Sequence, residues 1–167
     1  MLDFTIRSYE SSDLEQCRNL WEELTQHHRD IYGDPSIGGE TPGLYFDEHL
    51  ARVGEGCIWV AIHETVILGF TGLIIDGREA EIEPLVVRRE HRNQGIGKTL
   101  VNHVIKEAKS RGIRYLNVRP VARNLDALSF FHDQGFQTLG HIQLFMDFED
   151  STNWKSGISL FGCSFRY

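Results

Sequence analysis

The stretch HRNQGIGKT, residues 91–99, constrains this chain more than any other feature because it places glycines and cations between a strand and a helix. The preceding segment EAEIEPLVV (79–87) alternates as a strand does, and Ile96, Leu100 and Val104 recur on one helical face. A helix that begins in such a loop offers free N–H groups and the positive end of its dipole. The segment therefore predicts an anion-binding loop.

Two familiar phosphate-binding loops do not fit this stretch. A P-loop needs a glycine five residues before Gly97, where Arg92 stands, so the backbone cannot wrap around the phosphates. A dinucleotide-binding loop matches at Gly95 and Gly97 but needs a third glycine at the position of Leu100. That bulky side chain would hold helix and strand apart, and the strands before the loop also look antiparallel.

A third pattern, [R/Q]-x-x-G-x-[G/A], matches the chain at every position from Arg92 to Gly97. It resembles the acyl-CoA loop of the GCN5-related N-acetyltransferase (GNAT) family. The later segment from Asn124 to Phe136 is similar to that family's N-x-x-A-x-x-F-Y-x-x-x-G-F helix, with Phe131 at the tyrosine position. The resemblance runs from the first strand to about residue 148.

The resemblance implies an α/β protein with the GNAT or acyl-CoA N-acyltransferase fold, a central mixed, mostly antiparallel sheet flanked by four helices. Residues 1–148 would form this domain, and 149–167 an extension packed on it or on a partner chain. The sequence patterns give the element order β-α-α-β-β-β-α-β-α-β-β. Strands are expected at 4–9, 57–64, 66–77, 79–87, 115–121 and 136–148, with a further strand in the tail. Helices are expected after a capping box at Ser12 and Glu15, over 44–53, after the glycine loop, and after an N-cap at Asn124.

By the same resemblance the co-substrate is acetyl-CoA, whose pantetheine arm pairs with the backbone of the strand before the loop. Pro84 suits a bulge in that strand, because it has no N–H for a sheet ladder. The side-chain amide of Asn124 would contact the cofactor arm, although it can equally serve as a plain helix N-cap. The implied cofactor-binding residues are Leu85, Val86, Val87, Arg92, Asn93, Gln94, Gly95, Ile96, Gly97, Lys98, Asn124 and Phe131.

Acetyl transfer to an amine needs a general base, because only a neutral amine attacks the thioester. Glu81 and Glu83 alternate with apolar residues on the predicted strand and so point to one face. Glu81 aligns best with the strand glutamate of some family members, whereas Glu83 lies closer to the expected thioester. The alternative is that both carboxylates belong to a solvated sheet face.

Two departures from the family pattern bear on this chemistry. The usual tyrosine acid is Phe131 here, which has no proton to give, and Asn117 stands where other members place a glutamate. We expect an acetyl-CoA-dependent N-acetyltransferase that acts by direct attack with general-base assistance. The departures leave open a catalytically weak acyl-CoA-binding regulatory module of the same fold.

Composition limits the classes of partner that this protein is expected to bind. A net charge of −7 argues against a nucleic-acid binder, and no apolar run approaches the ~20 residues of a membrane span. The scattered cysteines lack metal-ligand spacing, so no metal is expected, and a cytoplasmic location is the default. The acceptor would be a primary amine of a small molecule or a peptide, drawn by an acidic segment at 12–50. The aromatic tail would add a strand to a sheet edge of its own chain or of a neighbour, which makes a homodimer a further expectation.

Overall fold

A five-stranded sheet lies at the centre of the computed structural model, which describes residues 2–148 and 154–167. The first four strands are antiparallel neighbours, and the fifth runs parallel to the fourth. The predicted mixed, mostly antiparallel sheet is therefore confirmed. In spatial order, the strands are β1 (Thr5–Ser8), β2 (Ile58–His63), β3 (Val66–Asp76), β4 (Glu79–Val87) and β5 (Tyr115–Asn117).

Four α-helices cover the two faces of the sheet, as expected. One face packs Leu20 and Phe46 against strand residues such as Phe70, and the opposite face packs Val101 and Phe131 against Leu73 and its neighbours. Successive residues of β2 and β3 point to opposite faces, and both strands are buried on both sides for most of their length. The helices are α1 (Leu14–Tyr32), α2 (Tyr45–Val53), α3 (Ile96–Ser110) and α4 (Leu125–Asp133). None of the described helices is long and apolar enough to cross a membrane.

The helix ends are set by local chemistry, and one predicted cap is wrong. The capping box expected at Ser12 and Glu15 lies instead at Glu10 and Asp13, around a short 3-10 turn before α1. Asp13 is buried and accepts hydrogen bonds from the Glu10 N–H at 2.9 Å and from the Arg7 guanidinium. A carboxylate that satisfies both a backbone donor and a guanidinium outcompetes a serine hydroxyl at this position.

Strand β4 is irregular where the sequence places Pro84. Opposite Thr71 and Leu73 of β3 stand Leu85 and Ile82, so two residues of β4 bulge outward across from one residue of β3. The parallel ladder to β5 ends at Glu81, and beyond it β4 has no partner strand on that side among the described residues. The predicted bulge is confirmed, and the last part of β4 leaves one row of backbone groups unpaired.

The region after α4 differs from the sequence prediction. No strand forms within 136–148, and β5 stops at Asn117 instead of reaching 121. The tail contributes two strands, β6 (Ser156–Leu160) and β7 (Cys163–Arg166), which pair with each other and with no further strand among the described residues. The alternating pattern of 136–148 predicts a segment that would have one apolar face if it were extended. A strand also needs a neighbouring strand to pair with, and the described residues supply none for this segment.

Candidate active site

The loop between β4 and α3 has the geometry of an anion-binding turn. Asn93 and Gly95 both have positive φ, at 61° and 85°, and the helix begins directly after Gly95. The first helical hydrogen bond runs from the Thr99 N–H to the Gly95 carbonyl at 3.0 Å. The N–H groups of residues 96–98 therefore have no acceptor within the helix and face outward from its N-terminus.

Gly97 is not required by the packing of the protein itself. A Cβ built on it would meet the Phe130 ring at 3.5 Å and the Val87 side chain at 3.6 Å, both ordinary contact distances. Its φ lies outside the positive region, so alanine could adopt the same backbone conformation. The space beside Gly97 is therefore not filled by the protein itself. A ligand that approaches the backbone closely would account for a glycine at this position.

Cationic groups surround this loop. The Arg92 Nε donates to the Val87 carbonyl at 3.2 Å, and Arg89 and Lys98 are exposed to solvent. Glu23 of α1 accepts from the Arg89 backbone N–H at 3.1 Å and so fixes the short turn that leads into the loop. The pKa of His27 is lowered, first by burial and then by the charge of Arg92. The loop thus carries a positive field in an otherwise acidic protein.

The predicted cofactor residues fall into two groups. The first group comprises residues 85–87 at the end of β4 and residues 92–98 of the loop. Both lie on the stretch of chain that leads from β4 into the start of α3. Asn124 caps α4, because its Oδ1 accepts from the Ala127 N–H at 3.0 Å. Phe131 lies in the core, in contact with Phe130 and Phe136. It is Phe130, one residue earlier, whose ring lies beside Gly97.

Glu81 is held by an arginine that the sequence did not single out. The Arg119 Nε donates to Glu81 Oε1 at 2.7 Å, and its Nη2 bonds to Oε2. The side chain of Glu81 is 9% exposed and that of Arg119 is 72% exposed. The hydrogen bond to Glu81 raises the pKa of Arg119, and the nearby charge of Glu83 adds to this. Both oxygens of Glu81 are therefore engaged, so for this residue the alternative of a solvated sheet face does not hold.

Glu83 occupies a different position, at the bulge itself. Its side chain is half-buried and forms no hydrogen bond or salt bridge with the residues that the structure describes. It lies on the stretch of β4 that has already separated from β5. Of the two predicted carboxylates, Glu83 is thus the one with free oxygens. Tyr115 pairs with Glu79 at the far end of β4, away from the bulge and from Glu83.

His49 of α2 lies beside the same bulge of β4, on the face of the sheet that α2 covers. A Cβ on Gly72 would meet both the His49 Nε2 and the Glu83 carbonyl oxygen at 2.5 Å, so only glycine fits between the two. The imidazole is 4% exposed and lies 5.4 Å from the Trp21 ring. Its Nε2 has no hydrogen-bond partner among the described residues. Burial, and then the charge of Arg52, lower the pKa of His49 to about 4.

His49 should make the protein less stable in mild acid. Its pKa is about 4 in the folded protein and near 6.5 in the unfolded chain, so the unfolded chain binds more protons between these values. Stability from the neutral imidazole is complete above pH 6.5 and falls as the pH approaches 4. We expect His49 to lower the free energy of unfolding by about 2 kcal/mol between pH 7.5 and pH 5.

Urea unfolding of the protein and of His49→Gln at both pH values measures this contribution. Glutamine is polar and does not titrate, so the variant should lose about 2 kcal/mol less than the parent on acidification. His27, His28 and His103 also have lowered pKa values, but they are present in both proteins and cancel. Equal losses in the two proteins would show that His49 is not a buried neutral group.

Comparison with known proteins agrees with this geometry. A glycine-rich loop at a helix N-terminus, next to an antiparallel sheet whose fourth strand bulges and separates from the fifth, defines an acyltransferase-like α/β protein. The Acetyltransferase (GNAT) family profile matches residues 17–136. The chain therefore belongs to the GNAT family of acetyltransferases, and the family and fold expected from the sequence are confirmed.

Individual relatives are distant. Human N-acetyltransferase 8 is 29% identical over 90 residues, which are 50% of this chain and 40% of that protein. The chain thus spans about two fifths of the length of this relative. The Escherichia coli [ribosomal protein bS18]-alanine N-acetyltransferase is 23% identical over 132 residues, 79% of this chain and 80% of that protein.

A solved structure shares the fold. The crystal structure of the PaiA N-acetyltransferase from Thermoplasma acidophilum in complex with coenzyme A matches with a TM-score of 0.65 and 23% identity, over 80% of this chain and 89% of that chain. No group of three or more potential metal ligands occurs among the residues that our structure describes.

Proposed function

We propose that this protein transfers an acetyl group from acetyl-CoA to a primary amine by direct attack, with Glu83 as the general base. The observation that carries the proposal is the combination of an unpaired β4 edge with free N–H groups at the α3 N-terminus. The free N–H groups at the helix N-terminus would bind a pyrophosphate. The unpaired strand edge would bind an arm that contains amide groups. The Thermoplasma protein of the same fold was crystallised with coenzyme A, which supports the choice of ligand.

The residues of the loop fit a CoA pyrophosphate. The amides of residues 96–98 would donate to its oxygens, Gly97 leaves space for close approach, and Arg89 and Lys98 supply counter-charge. The backbone groups of Leu85 to Val87 that point away from β3 would bind the amides of the pantetheine arm. In this arrangement the reacting end of the ligand would lie near the bulge, beside Glu83.

Glu83 would take the proton that the attacking amine must lose, either directly or through a water molecule. A backbone N–H near Val86 would stabilise the oxyanion that forms when nitrogen bonds to the carbonyl carbon. When that intermediate collapses, the carbon–sulfur bond breaks and the thiolate leaves. Phe131 cannot protonate it, and the modest pKa of a thiol permits departure as the anion.

Glu81 and Arg119 would support this arrangement as a fixed pair. Because Arg119 pairs with Glu81, its charge offsets the repulsion between the two carboxylates, and the exposed guanidinium is also close enough to feel the charge of Glu83. Glu81 is therefore a positioning residue in this proposal, and only Glu83 has the free oxygens of a base.

The acceptor is proposed only as a class, a primary amine of a small molecule, peptide or protein. The acidic segment expected to attract it is partly neutralised, because Arg18 pairs with both Glu15 and Asp47 and Arg88 contacts Glu23. The Escherichia coli relative is named for acetylating an alanine of a ribosomal protein, which makes peptide N-termini sensible members of a first test panel. A cytoplasmic location stays a prediction from the sequence.

The test is release of free CoA thiol from acetyl-CoA, measured with and without a panel of polyamines, amino acids and peptides. We expect release to depend on at least one amine and to be matched by acetylated product in the mass spectrum. Tight binding of acetyl-CoA without amine-dependent release across the panel would contradict the proposal. It would favour the alternative of a binding module that has lost turnover.

A further inference from the structure

The pair formed by Glu81 and Arg119 leaves one edge of the guanidinium group unused. A guanidinium has a side edge and an end edge, and each can present a pair of N–H groups to a carboxylate. The side edge, formed by Nε and Nη2, is occupied by the two oxygens of Glu81. The end edge, formed by Nη1 and the second hydrogen of Nη2, has no hydrogen-bond partner among the residues that the structure describes. Because the largely buried Glu81 holds the group from the side, the end edge has a defined orientation.

This edge and the free carboxylate of Glu83 lie on the same face of the sheet. Ile82 packs into the cluster beneath α3 and α4, so its neighbours Glu81 and Glu83 point to the opposite face. Arg119 follows the end of β5 and reaches Glu81 on that face. The hydrogen bond to Glu81 raises the pKa of Arg119 and the charge of Glu83 adds to this, which agrees with the placement. Asn117, which pairs with Glu81 in the ladder, is exposed, so this part of the face is open to solvent.

A salt bridge alone does not require an arginine at position 119. The side chain of Arg119 is 72% exposed, and ion pairs with so exposed a partner contribute little to stability. A lysine would bring the same charge to Glu81. Arginine differs from lysine in its planar fork, which can hold one carboxylate at the side edge and accept a second at the end edge.

The separation between the two free groups is that of a small molecule. Residues two apart on a strand lie about 7 Å apart, at ~3.3 Å per residue. Glu83 therefore lies roughly 7 Å further along β4 than the residue that holds Arg119. An amino acid with a hydrogen bond of about 2.9 Å at each end spans such a distance. Its amine is complementary to Glu83, and its carboxylate is complementary to the end edge of Arg119.

We propose that the acceptor carries a carboxylate near its amine, as a free amino acid does, and that the end edge of Arg119 binds this carboxylate while the amine donates to Glu83. Arg119 is then a specificity-determining residue. The inference rests on the proposed acetyltransferase function and narrows its acceptor class. The transfer itself is unchanged: the amine nitrogen bonds to the carbonyl carbon, its proton goes to Glu83, and CoA leaves as the thiolate. Polyamines and the N-termini of long peptides, which lack a carboxylate near the reacting amine, should be poor acceptors.

Matched pairs of acceptors test this with the parent protein. CoA release is measured for α-amino acids, β-alanine and γ-aminobutyrate, each beside its own amide. The amine of an amide is less basic, so without recognition of the carboxylate the amide would react at least as fast. For the best acid we expect kcat/KM to exceed that of its amide by ~10–100-fold, mainly through KM, as charge-assisted hydrogen bonds are worth.

The outcomes separate this inference from the proposed function. Amine-dependent CoA release with equal kcat/KM for acids and amides would overturn the inference and leave the acetyltransferase function standing. Efficient acetylation of polyamines or long peptides alone would do the same. No CoA release with any acid, amide or other amine would overturn both.

Variants assign the discrimination to Arg119. Arg119→Lys keeps a cation beside Glu81 but has no second edge, so the ratio of kcat/KM between acid and amide should fall by about 10-fold. Combining Glu81→Gln with Arg119→Gln removes both charges without leaving a buried unpaired carboxylate, and should bring the ratio to about one. Arg114→Gln is the matched control, because Arg114 is an exposed arginine just before β5 that stacks on the Tyr115 ring at 5.0 Å.

The control should keep the ratio of the parent protein. Calorimetric titration with CoA should give equal affinities for the parent and all three variants, which shows that each is folded. An unchanged ratio in both Arg119→Lys and the double variant would overturn the role of Arg119.

Discussion

Replacing Glu83 with glutamine is expected to lower kcat/KM for the amine acceptor by ~10²–10⁴-fold, the usual contribution of a general base. Glutamine keeps the size and hydrogen-bonding atoms of the side chain but cannot accept the proton of the attacking amine. Affinity for acetyl-CoA and the free energy of unfolding should change little, because Glu83 makes no hydrogen bond or salt bridge with the described residues.

Two neighbours on the same strand are the controls for this experiment. Glu79→Gln changes an exposed carboxylate at the far end of β4 and should leave the rate unchanged. Glu81→Gln removes the charge that Arg119 holds, so we expect a loss of stability and a smaller effect on rate than at Glu83. If Glu81→Gln lowered kcat as far as Glu83→Gln did, with normal stability, the base would be Glu81 instead.

The sequence predicted the first part of the fold well because its signals there are local. The strands around 57–87 carry apolar residues on both faces, and the Asp76–Gly77 turn connects two of them directly. The glycine loop and the stripe that begins at Ile96 set the start of α3 in the same way. Pro84 also located the bulge, since a residue without an N–H cannot continue a ladder.

The part after α4 was not predictable in the same way. Apolar and polar residues alternate along the segment 142–148 except at Phe145, yet this segment forms no strand in the structure. Pairing depends on what lies beside a strand, and this information is not contained in the pattern of one segment. The division into a domain at 1–148 and an extension at 149–167 stays a prediction, and residues 149–153 lie outside those that the structure describes.

Within the candidate site, the sequence pointed to Glu81 and Glu83 as possible bases, but it did not indicate that Arg119 pairs with Glu81. Arg119 and Glu81 are 38 positions apart, and no spacing rule connects a strand residue with one that follows the end of the neighbouring parallel strand. His49 gave no signal either, because a single histidine on an apolar helix face is usually core. Its relation to the bulge depends on Gly72, whose missing side chain lets α2 approach the sheet.

Replacing Gly97 with alanine is expected to weaken CoA binding by about 10–100-fold, the loss of one or more charge-assisted hydrogen bonds of 1.5–3 kcal/mol each. The added methyl group fits the protein, since its nearest neighbours are at 3.5 and 3.6 Å. Alanine also favours a helix over glycine, so the free energy of unfolding should stay the same or rise by up to about 1 kcal/mol. Weaker binding in an equally stable protein is a result that a damaged fold cannot produce.

Calorimetric titration with CoA, together with urea unfolding, measures both quantities on the same samples. Gly56→Ala is the matched control, because Gly56 has open space around it, does not need positive φ and lies away from the loop. That variant should bind CoA as the parent protein does. Gly95 is unsuitable for the comparison, since its φ of 85° would strain any other residue whether or not a ligand binds. Full CoA affinity in Gly97→Ala would mean that the phosphate does not approach the backbone at this turn, and the α3 N-terminus would then lose its proposed role.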